Sequence, residues 1–245
     1  LYDRPIAERH RIIFYLGHLE AFDWNLFEPR LRGLKPFDPA LARLFAFGID
    51  PVDGGLPSDQ PSDWPTVLEV GRYARRVRTE LDTALEHSDP PDQLLNVAIE
   101  HRLMHAETLA YMLHQLPLDR KVAQAQPAPR TTRTPLFDMV EVPAGEATLG
   151  LTRDSETFGW DNEFEELRVG VPSFTIDRYK VTNGQFLEFL NAGGYSDRSL
   201  WSESDWLWKE SQAIEHPVFW KRGESGWIYR GMFEESPLQL NWPVY

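Results

Sequence analysis

The chain has 245 residues, a formal net charge of −13, 42% hydrophobic residues and no cysteine. Without cysteine these residues can form no disulfide framework, cysteine-ligated zinc site or thiol nucleophile, and the acidic balance argues against a nucleic-acid-binding surface. No apolar run reaches the roughly 20 residues that a membrane-spanning helix needs, so we expect a cytoplasmic protein that has small-molecule partners and neither nucleic-acid nor membrane partners.

The first predicted element is a helix at residues 4–31. Within it Phe14, His18 and Phe22 recur at intervals of four, which places His18 on an apolar face directed at a core. A buried imidazole must be hydrogen-bonded or coordinated because leaving it unpaired is costly. His18 is therefore either a satisfied core histidine or a metal ligand. His10 lies on the same stripe, but its position between two arginines indicates an exposed helix start.

Further helices follow in the first half of the chain. Ser62 or Asp63 could cap the second long helix, with Pro65 in its first turn. We expect Val67, Val70, Tyr73 or Ala74, Val77 and Leu81 to form its buried stripe. The sequence predicts a short helix at 39–48, a loop at 50–65, and long helices at 65–87 and 93–116, which together make a helical bundle.

A pair of histidines lies in the last of these helices. His101 and His105 are four residues apart, so they share one helix face with Cβ atoms about 5–6 Å apart. Neutral imidazole is a common metal ligand. Glu107 is rotated about 200° from His105 and His114 about 220° from His101, so neither completes a site on this helix. The third ligand must come from another helix, and His18 is the candidate.

The composition changes in the second half of the chain. Residues 121–135 are polar and Pro-rich, which is typical of a linker. Short β-rich runs broken by Gly and Pro follow, and then a short helix that Thr182 or Asn183 could cap and that ends at Gly193. The rest is rich in Trp and in predicted loops. We interpret residues 136–245 as an α+β domain that stops early.

Six segments, read in chain order, resemble a known family. They are GHLEAFDWN, EHRLMHAETL, VPAGEATLG, FGWDNEF, FTIDRYKVTNGQF and GGYSDRSLW. Together they resemble the ergothioneine-biosynthesis sulfoxide synthases, including the selenoneine synthases and the ovothiol-type relatives. The resemblance implies a DinB-like four-helix bundle with a metal site at residues 1–120, a linker at 121–135, and the first part of a formylglycine-generating-enzyme-like domain, which has a C-type-lectin-like fold, at 136–245.

The resemblance also implies a reaction. In this family three histidines hold a non-heme Fe(II), and they fall on His18, His101 and His105 here. The family uses O₂ to join sulfur or selenium to the imidazole of hercynine, which is trimethylhistidine. The expected partners are therefore hercynine or histidine, a thiol or selenosugar donor, and O₂.

Three further positions carry over as substrate contacts. Relatives use arginines of the second long helix to bind the carboxylates of γ-glutamyl-cysteine, which suggests Arg75 and Arg78. A solvated helix face is the alternative interpretation of these arginines. Met104 stands where mycobacterial members carry a glutamine against the substrate imidazole. The catalytic tyrosine of the family lies beyond Tyr245, so the catalytic residues are unknown; since the chain begins with Leu1, we also expect its natural N-terminus to lie upstream.

Two other functions use the same residues. A DinB-type thiol transferase or hydrolase would hold zinc or nickel on the three histidines. A non-catalytic binding module would use the metal only for stability. The attached lectin-like domain and the need for O₂ favour the synthase over the transferase or hydrolase. A binding module would lose stability without its metal but would show no redox chemistry.

Overall fold

The structure is a computed structural model that describes residues 1–49, 55–122, 124 and 138–245. It divides into two compact units, Leu1–Pro117 and Leu118–Tyr245. The predicted linker at 121–135 lies mostly outside the described residues, as does the 50–54 part of the predicted loop.

The first unit is helical. Its helices are α1 (Ile12–Phe27), α2 (Pro39–Phe47), α3 (Val67–Glu86) and α4 (Asp92–Gln115). The last three agree with the prediction to within two residues. Among the helices that the structure describes, none has both the length and the apolar character that crossing a bilayer requires.

The first helix is shorter than the predicted 4–31. Arg11 precedes it with an extended backbone (φ −63°, ψ 152°), so the helix begins at Ile12. At the other end Pro29 has no N–H with which to continue the helical hydrogen bonds. An apolar stripe predicted that this helix exists but could not fix its ends.

The start of α3 also differs from the prediction. Pro61–Asp63 forms a separate turn of 3₁₀ helix, and Thr66, not Ser62 or Asp63, is the N-cap. The Thr66 hydroxyl accepts from the Glu69 N–H while the Glu69 carboxylate accepts from the Thr66 N–H. This capping box satisfies two backbone donors at once, which neither rival position can do.

The predicted stripe of α3 is confirmed at four of its five positions. Val70, Tyr73, Val77 and Leu81 are buried, whereas Val67 in the first turn is exposed. Helix α1 contributes more buried side chains to the core that they enter than any other helix, and it is buried on several sides. The buried apolar side chains of α1 are Ile12, Ile13, Phe14, Tyr15, Ala21, Trp24 and Phe27.

A buried carboxylate attaches the N-terminal segment to the loop before α3. Asp59 is 5% exposed and forms ion pairs with Arg4 and with Arg11, whose Nε donates to Oδ2 at 2.9 Å. The Trp64 indole N–H donates to the same oxygen at 2.7 Å. Charge and hydrogen bonding together compensate for the burial of this group.

The second unit combines helices with small antiparallel sheets, as the sequence predicted. Its elements are β1 (Met139–Val142), β2 (Gly145–Leu149), β3 (Leu167–Val171), β4 (Phe174–Asp177), α5 (Asn183–Asn191), α6 (Glu203–Ser211), β5 (Trp220–Gly223), β6 (Gly226–Arg230) and β7 (Glu235–Pro237). β1 pairs with β4, β2 with β3, and β5, β6 and β7 form one sheet in that order. Thr182 caps α5, and Gly193 beyond its end has a φ of +92°.

The loop-rich prediction for the last 45 residues is wrong in part, because α6 and a three-stranded sheet lie there. Ser202 caps α6 by accepting from the Asp205 N–H. The β5–β6 hairpin turns between Gly223 and Gly226, where Gly226 has a φ of +140° that other residues rarely adopt. The many tryptophans obscured the strand periodicity.

Replacing Asp59 with asparagine should lower the free energy of unfolding by about 3 kcal/mol, because two partly buried guanidinium groups lose their counter-charge. Burial alone would raise the pKa of Asp59, but hydrogen bonds from Trp64 and Arg11 and the charges of Arg4 and Arg11 hold it below its usual value. Such a group stabilises the fold above its unfolded pKa of about 3.9 and loses that contribution as the pH falls through the folded value. The wild type should therefore lose more stability than Asp59→Asn below about pH 4.

Urea denaturation followed by far-ultraviolet circular dichroism measures both effects. Glu165→Gln is the matched control, because it breaks an exposed ion pair with Arg153 and should change the stability by only about 0–1 kcal/mol. If both variants lose the same free energy of unfolding, then the buried ion pairs of Asp59 stabilise the fold no more than an exposed ion pair does.

Candidate metal centre

Three histidines from two helices converge on one point. The Nε2 atom of His18 on α1 lies 3.2 Å from that of His101 and 3.1 Å from that of His105, both on α4. The Nε2 atoms of His101 and His105 are 3.1 Å apart. The structure thus brings together the three residues that the helical-face argument selected.

The triangle of nitrogens fits a first-row divalent ion. Nitrogens bound about 2.1 Å from one ion lie about 3.0 Å apart on an octahedral face and about 3.4 Å apart in a tetrahedron. The observed separations of 3.1–3.2 Å fall between these two values, so the triangle is compatible with either geometry. Among the residues that the structure describes, this is the one group of three or more metal-binding side chains close enough to share an ion.

The hydrogen bond of His18 fixes which nitrogen can bind a metal. Its Nδ1 lies 2.6 Å from the carbonyl oxygen of Phe45 at the end of α2, so Nδ1 carries the proton and donates it. The Nε2 atom then presents a lone pair to the other two rings. Lone pairs that face one another repel unless a cation or a proton lies between them.

Burial keeps the imidazoles neutral. It lowers the pKa of His101 to about 3, with His105 and His18 adding to the shift. Burial and the nearby His18 lower the pKa of His105 to about 4. The pKa of His18 is lowered by burial against the opposing effect of its bond to Phe45. Neutral rings are the form that binds metals.

Aromatic side chains of α1 hold all three rings. Phe22 stacks on His101 with ring centroids 3.5 Å apart and planes inclined by 8°. Phe14 stacks on His18 at 4.6 Å. Tyr15 lies against His105 at 5.6 Å. Each imidazole therefore has a rigid neighbour that restricts its rotation, which is the preorganisation that a metal site needs.

The other histidines and acids near the motif lie apart from the triangle. His10 precedes α1 and is half-buried, with its ring 4.2 Å from that of Phe14. The predicted exposed helix start at His10 is therefore wrong, because the chain turns inward there. His114 is buried elsewhere along α4, and Glu107 is exposed.

The predicted substrate contacts lie outside the triangle as well. Arg78 is bound to Glu20 of α1 through Nη2, at 2.6 and 2.8 Å from its carboxylate oxygens. Arg75 is exposed on α3 and takes part in none of the ion pairs found within the described parts of the chain. Met104 is 53% exposed, next to His105.

A large cavity in the first unit lies away from the histidines. It has a volume of about 950 Å³ and opens between the C-terminal ends of α1 and α3 and the start of α4, where Leu26, Ala84 and Leu94 line it. None of the three histidines lines it. The chemistry of the triangle, rather than the size of this cavity, identifies the candidate site.

Sequence reasoning missed a polar network beside the triangle. Arg102, the residue after His101, binds Asp23 and Glu20 on α1, and Glu20 in turn binds Arg78 on α3. No spacing rule pairs residues that lie about 80 positions apart. The apolar character around Asp23 was the available signal, because a buried carboxylate requires a partner.

Comparison with known proteins identifies the family. Residues 123–238 match the model of the Sulfatase-modifying factor enzyme 1-like domain. Ergothioneine biosynthesis protein 1 of Neurospora crassa is 32% identical over 219 residues, which are 78% of this chain and 24% of that protein. The chain belongs to the ergothioneine sulfoxide synthase family. Hercynine oxygenases of Mycolicibacterium smegmatis and Mycobacterium tuberculosis are 31% and 30% identical over 67% and 84% of this chain, and over 38% and 49% of their own lengths.

The match extends across both units of this synthase-family chain. The chain spans less than half the length of each of these curated relatives. The domain match covers most of the second unit, and the relatives covering 78% and 84% of the chain reach into the helical unit that holds the triangle.

Cobalt(II), a coloured probe of divalent sites, should bind at one ion per chain. At a hundredfold excess over its dissociation constant it should raise the free energy of unfolding by about 2.7 kcal/mol. His101→Ala should abolish this gain, because two nitrogens remain. Titration by visible absorption and urea denaturation measures both quantities.

His87→Ala is the matched control, since His87 is an exposed histidine at the end of α3. It should bind cobalt(II) as the wild type does. If it loses the ion and His101→Ala keeps it, the triangle is not the metal centre.

Proposed function

We propose that this chain carries the metal-binding part of a non-heme Fe(II), O₂-dependent synthase that forms a carbon–sulfur or carbon–selenium bond on the imidazole of hercynine. The observation that supports it most is the convergence of His18, His101 and His105 in a chain of this family. The names of the relatives, ergothioneine biosynthesis protein and hercynine oxygenase, support the substrate. We propose a cytoplasmic location.

The overall chemistry balances with one O₂ when the donor is a thiol. Joining the imidazole carbon to sulfur releases the C–H and S–H hydrogens and two electrons, and oxidation of sulfur to the sulfoxide releases two more. O₂ accepts these four electrons, so that one oxygen atom enters the sulfoxide and the other leaves as water. Iron(II), when bound, supplies the redox chemistry and brings the reactants to one centre.

The protein's own contribution is to hold three neutral nitrogens in place. The Phe45 carbonyl orients His18, and the rings of Phe14, Tyr15 and Phe22 restrict the three imidazoles. His18, His101 and His105 would hold the iron, and the positions that they do not occupy would be available to an imidazole substrate, a thiolate or selenolate, and O₂.

Substrate contacts on α3 and α4 complete the proposal. The guanidinium of Arg75 is exposed, so it can bind a donor carboxylate in the bidentate manner of arginine. Arg78 would share its charge between the donor and Glu20. Met104, directly before His105, would lie beside the substrate imidazole. Where the donor is a selenosugar without a carboxylate, the arginines lose this role.

The reaction can be tested donor by donor. The protein is loaded anaerobically with Fe(II) and given hercynine with γ-glutamyl-cysteine, cysteine or a selenosugar before O₂ is admitted. Mass spectrometry should detect a sulfoxide or a selenium adduct that is absent with His101→Ala and present with His87→Ala. No adduct from any donor, in protein that holds iron, would refute the synthase. If histidine is supplied in place of hercynine in a parallel reaction and only histidine gives a product, then histidine and not hercynine is the substrate.

Arg75→Ala tests the donor contact. We expect the KM for γ-glutamyl-cysteine to rise about tenfold with kcat little changed, because the lost contact serves binding in the ground and transition states alike. The KM for a selenosugar should not change. Arg72→Ala, on the same helix, is the control. An unchanged KM in Arg75→Ala would instead support the alternative interpretation, in which Arg75 belongs to a solvated helix face.

A further inference from the structure

Arg102 contacts three residues of a neighbouring helix. Its Nε and Nη2 donate to Oδ2 of Asp23 at 2.9 and 2.6 Å, and Nη2 also lies 3.1 Å from Oε2 of Glu20 and 3.4 Å from the carbonyl oxygen of Leu19. All of these partners lie on α1, in the turn and a half that follow His18. Arg102 itself follows His101 on α4.

We propose that the Arg102–Asp23 ion pair is a positioning contact that sets the register of α4 against α1 and thereby the spacing of the three Nε2 atoms. This inference rests on the proposed metal site. It assigns a role to residues that neither bind the metal nor touch the substrate.

Geometry supports this role. One ligand, His18, lies on α1 and two lie on α4, so the triangle closes only when the helices meet at one relative height. A slip of one residue would move a ligand by about 1.5 Å along the axis and about 100° around it. Functional constellations tolerate only about 0.5 Å. Apolar packing is non-directional, whereas a forked guanidinium contact has a defined direction.

Burial makes the contact stringent. Asp23 is 5% exposed, and among the described residues its Oδ1 has no hydrogen-bond partner. The compensation for this buried carboxylate comes from Arg102 through Oδ2. Any shift of α4 along α1 would separate the pair and leave a charge in the core, which is costly. The ion pair therefore penalises the displaced registers that would open the triangle.

Glu20 extends the contact to a third helix. It accepts from Arg102 on α4 and from Arg78 on α3, so one carboxylate of α1 connects both neighbours. The network is asymmetric, because Arg78 is 44% exposed in its side chain and Arg102 is 30% exposed. We place the positioning role on Arg102 and Asp23, which lie deeper and next to the ligands.

The test measures cobalt(II) binding by visible absorption, together with the unfolding midpoint of the metal-free protein. Arg102→Met keeps the aliphatic stem and removes the fork, and should weaken binding about 10- to 100-fold, as expected for groups that orient metal ligands. It should also change the visible spectrum, which reports coordination geometry. Arg102→Lys, which keeps the charge, should recover part of the affinity.

A double variant separates positioning from the cost of a buried charge. Asp23→Asn with Arg102→Met removes both charges, so stability should recover while cobalt(II) affinity stays about tenfold or more below the wild type. Arg168→Met is the matched control: Arg168 also binds two carboxylates, Glu146 and Glu166, but in the second unit, and its loss should leave binding unchanged.

Each outcome decides the matter. The positioning role is overturned if Arg102→Met binds cobalt(II) with the affinity and spectrum of the wild type. It is also overturned if the double variant regains the wild-type affinity for cobalt(II). In both cases the proposed metal site is unaffected. Failure of the wild type itself to bind cobalt(II) overturns both the site and the positioning role. Weak binding in both variants with wild-type binding in Arg168→Met supports the proposal.

Discussion

The packing of α1 against α4 determines where three imidazoles meet, one buried and two half-buried, because one ligand lies on the first helix and two lie on the second. The i, i+4 spacing guarantees only that His101 and His105 share a face. The third nitrogen reaches them because the Phe14–His18–Phe22 stripe of α1 turns toward that face. The same stripe supplies two of the rings that stack on the histidines. One helix contact therefore assembles both the ligand set and the surroundings that hold it.

Removing three neutral imidazoles partly or fully from water has a cost that the surrounding contacts offset only in part. His18 donates to the Phe45 carbonyl, whereas the Nδ1 atoms of His101 and His105 find no hydrogen-bond partner within the described residues. Such buried groups normally lower stability by about 1–3 kcal/mol each. A metal ion that binds only the folded state raises the free energy of unfolding. The triangle is thus understandable as a site whose stability is linked to its ligand, which a set of satisfied core histidines would not be.

Sequence reasoning succeeded where local periodicity carries the information. The histidine pair, the apolar stripe around His18 and the stripe of α3 all follow from 3.6-residue repeats, and the structure places them as expected except for Val67, which is exposed. It failed where the deciding partner is distant along the chain. Asp59 reads as a polar loop residue, yet it is buried by arginines 48 and 55 positions away. The prediction of helix ends failed for a related reason. Thr66, not Ser62, is the N-cap of α3 because Thr66 and Glu69 form reciprocal hydrogen bonds, and the capping preference of a single residue type does not include such bonds.

The network of Arg102 shows why ligand spacing alone underdetermines such a site. Many sequences can place HxxxH on one amphipathic helix and a histidine on another, and apolar packing alone is compatible with several helix registers of nearly equal energy. A metal ion can be coordinated by all three histidines in only one of these registers. The selection requires a directional contact near the ligands that becomes costly when the helices slip, and a buried carboxylate with one arginine partner meets that requirement. Its own net contribution to stability is small, since desolvation offsets attraction. Such a pair acts by making the displaced registers of the two helices unfavourable. Removal of both partners should therefore weaken metal binding more than it lowers the stability of the fold.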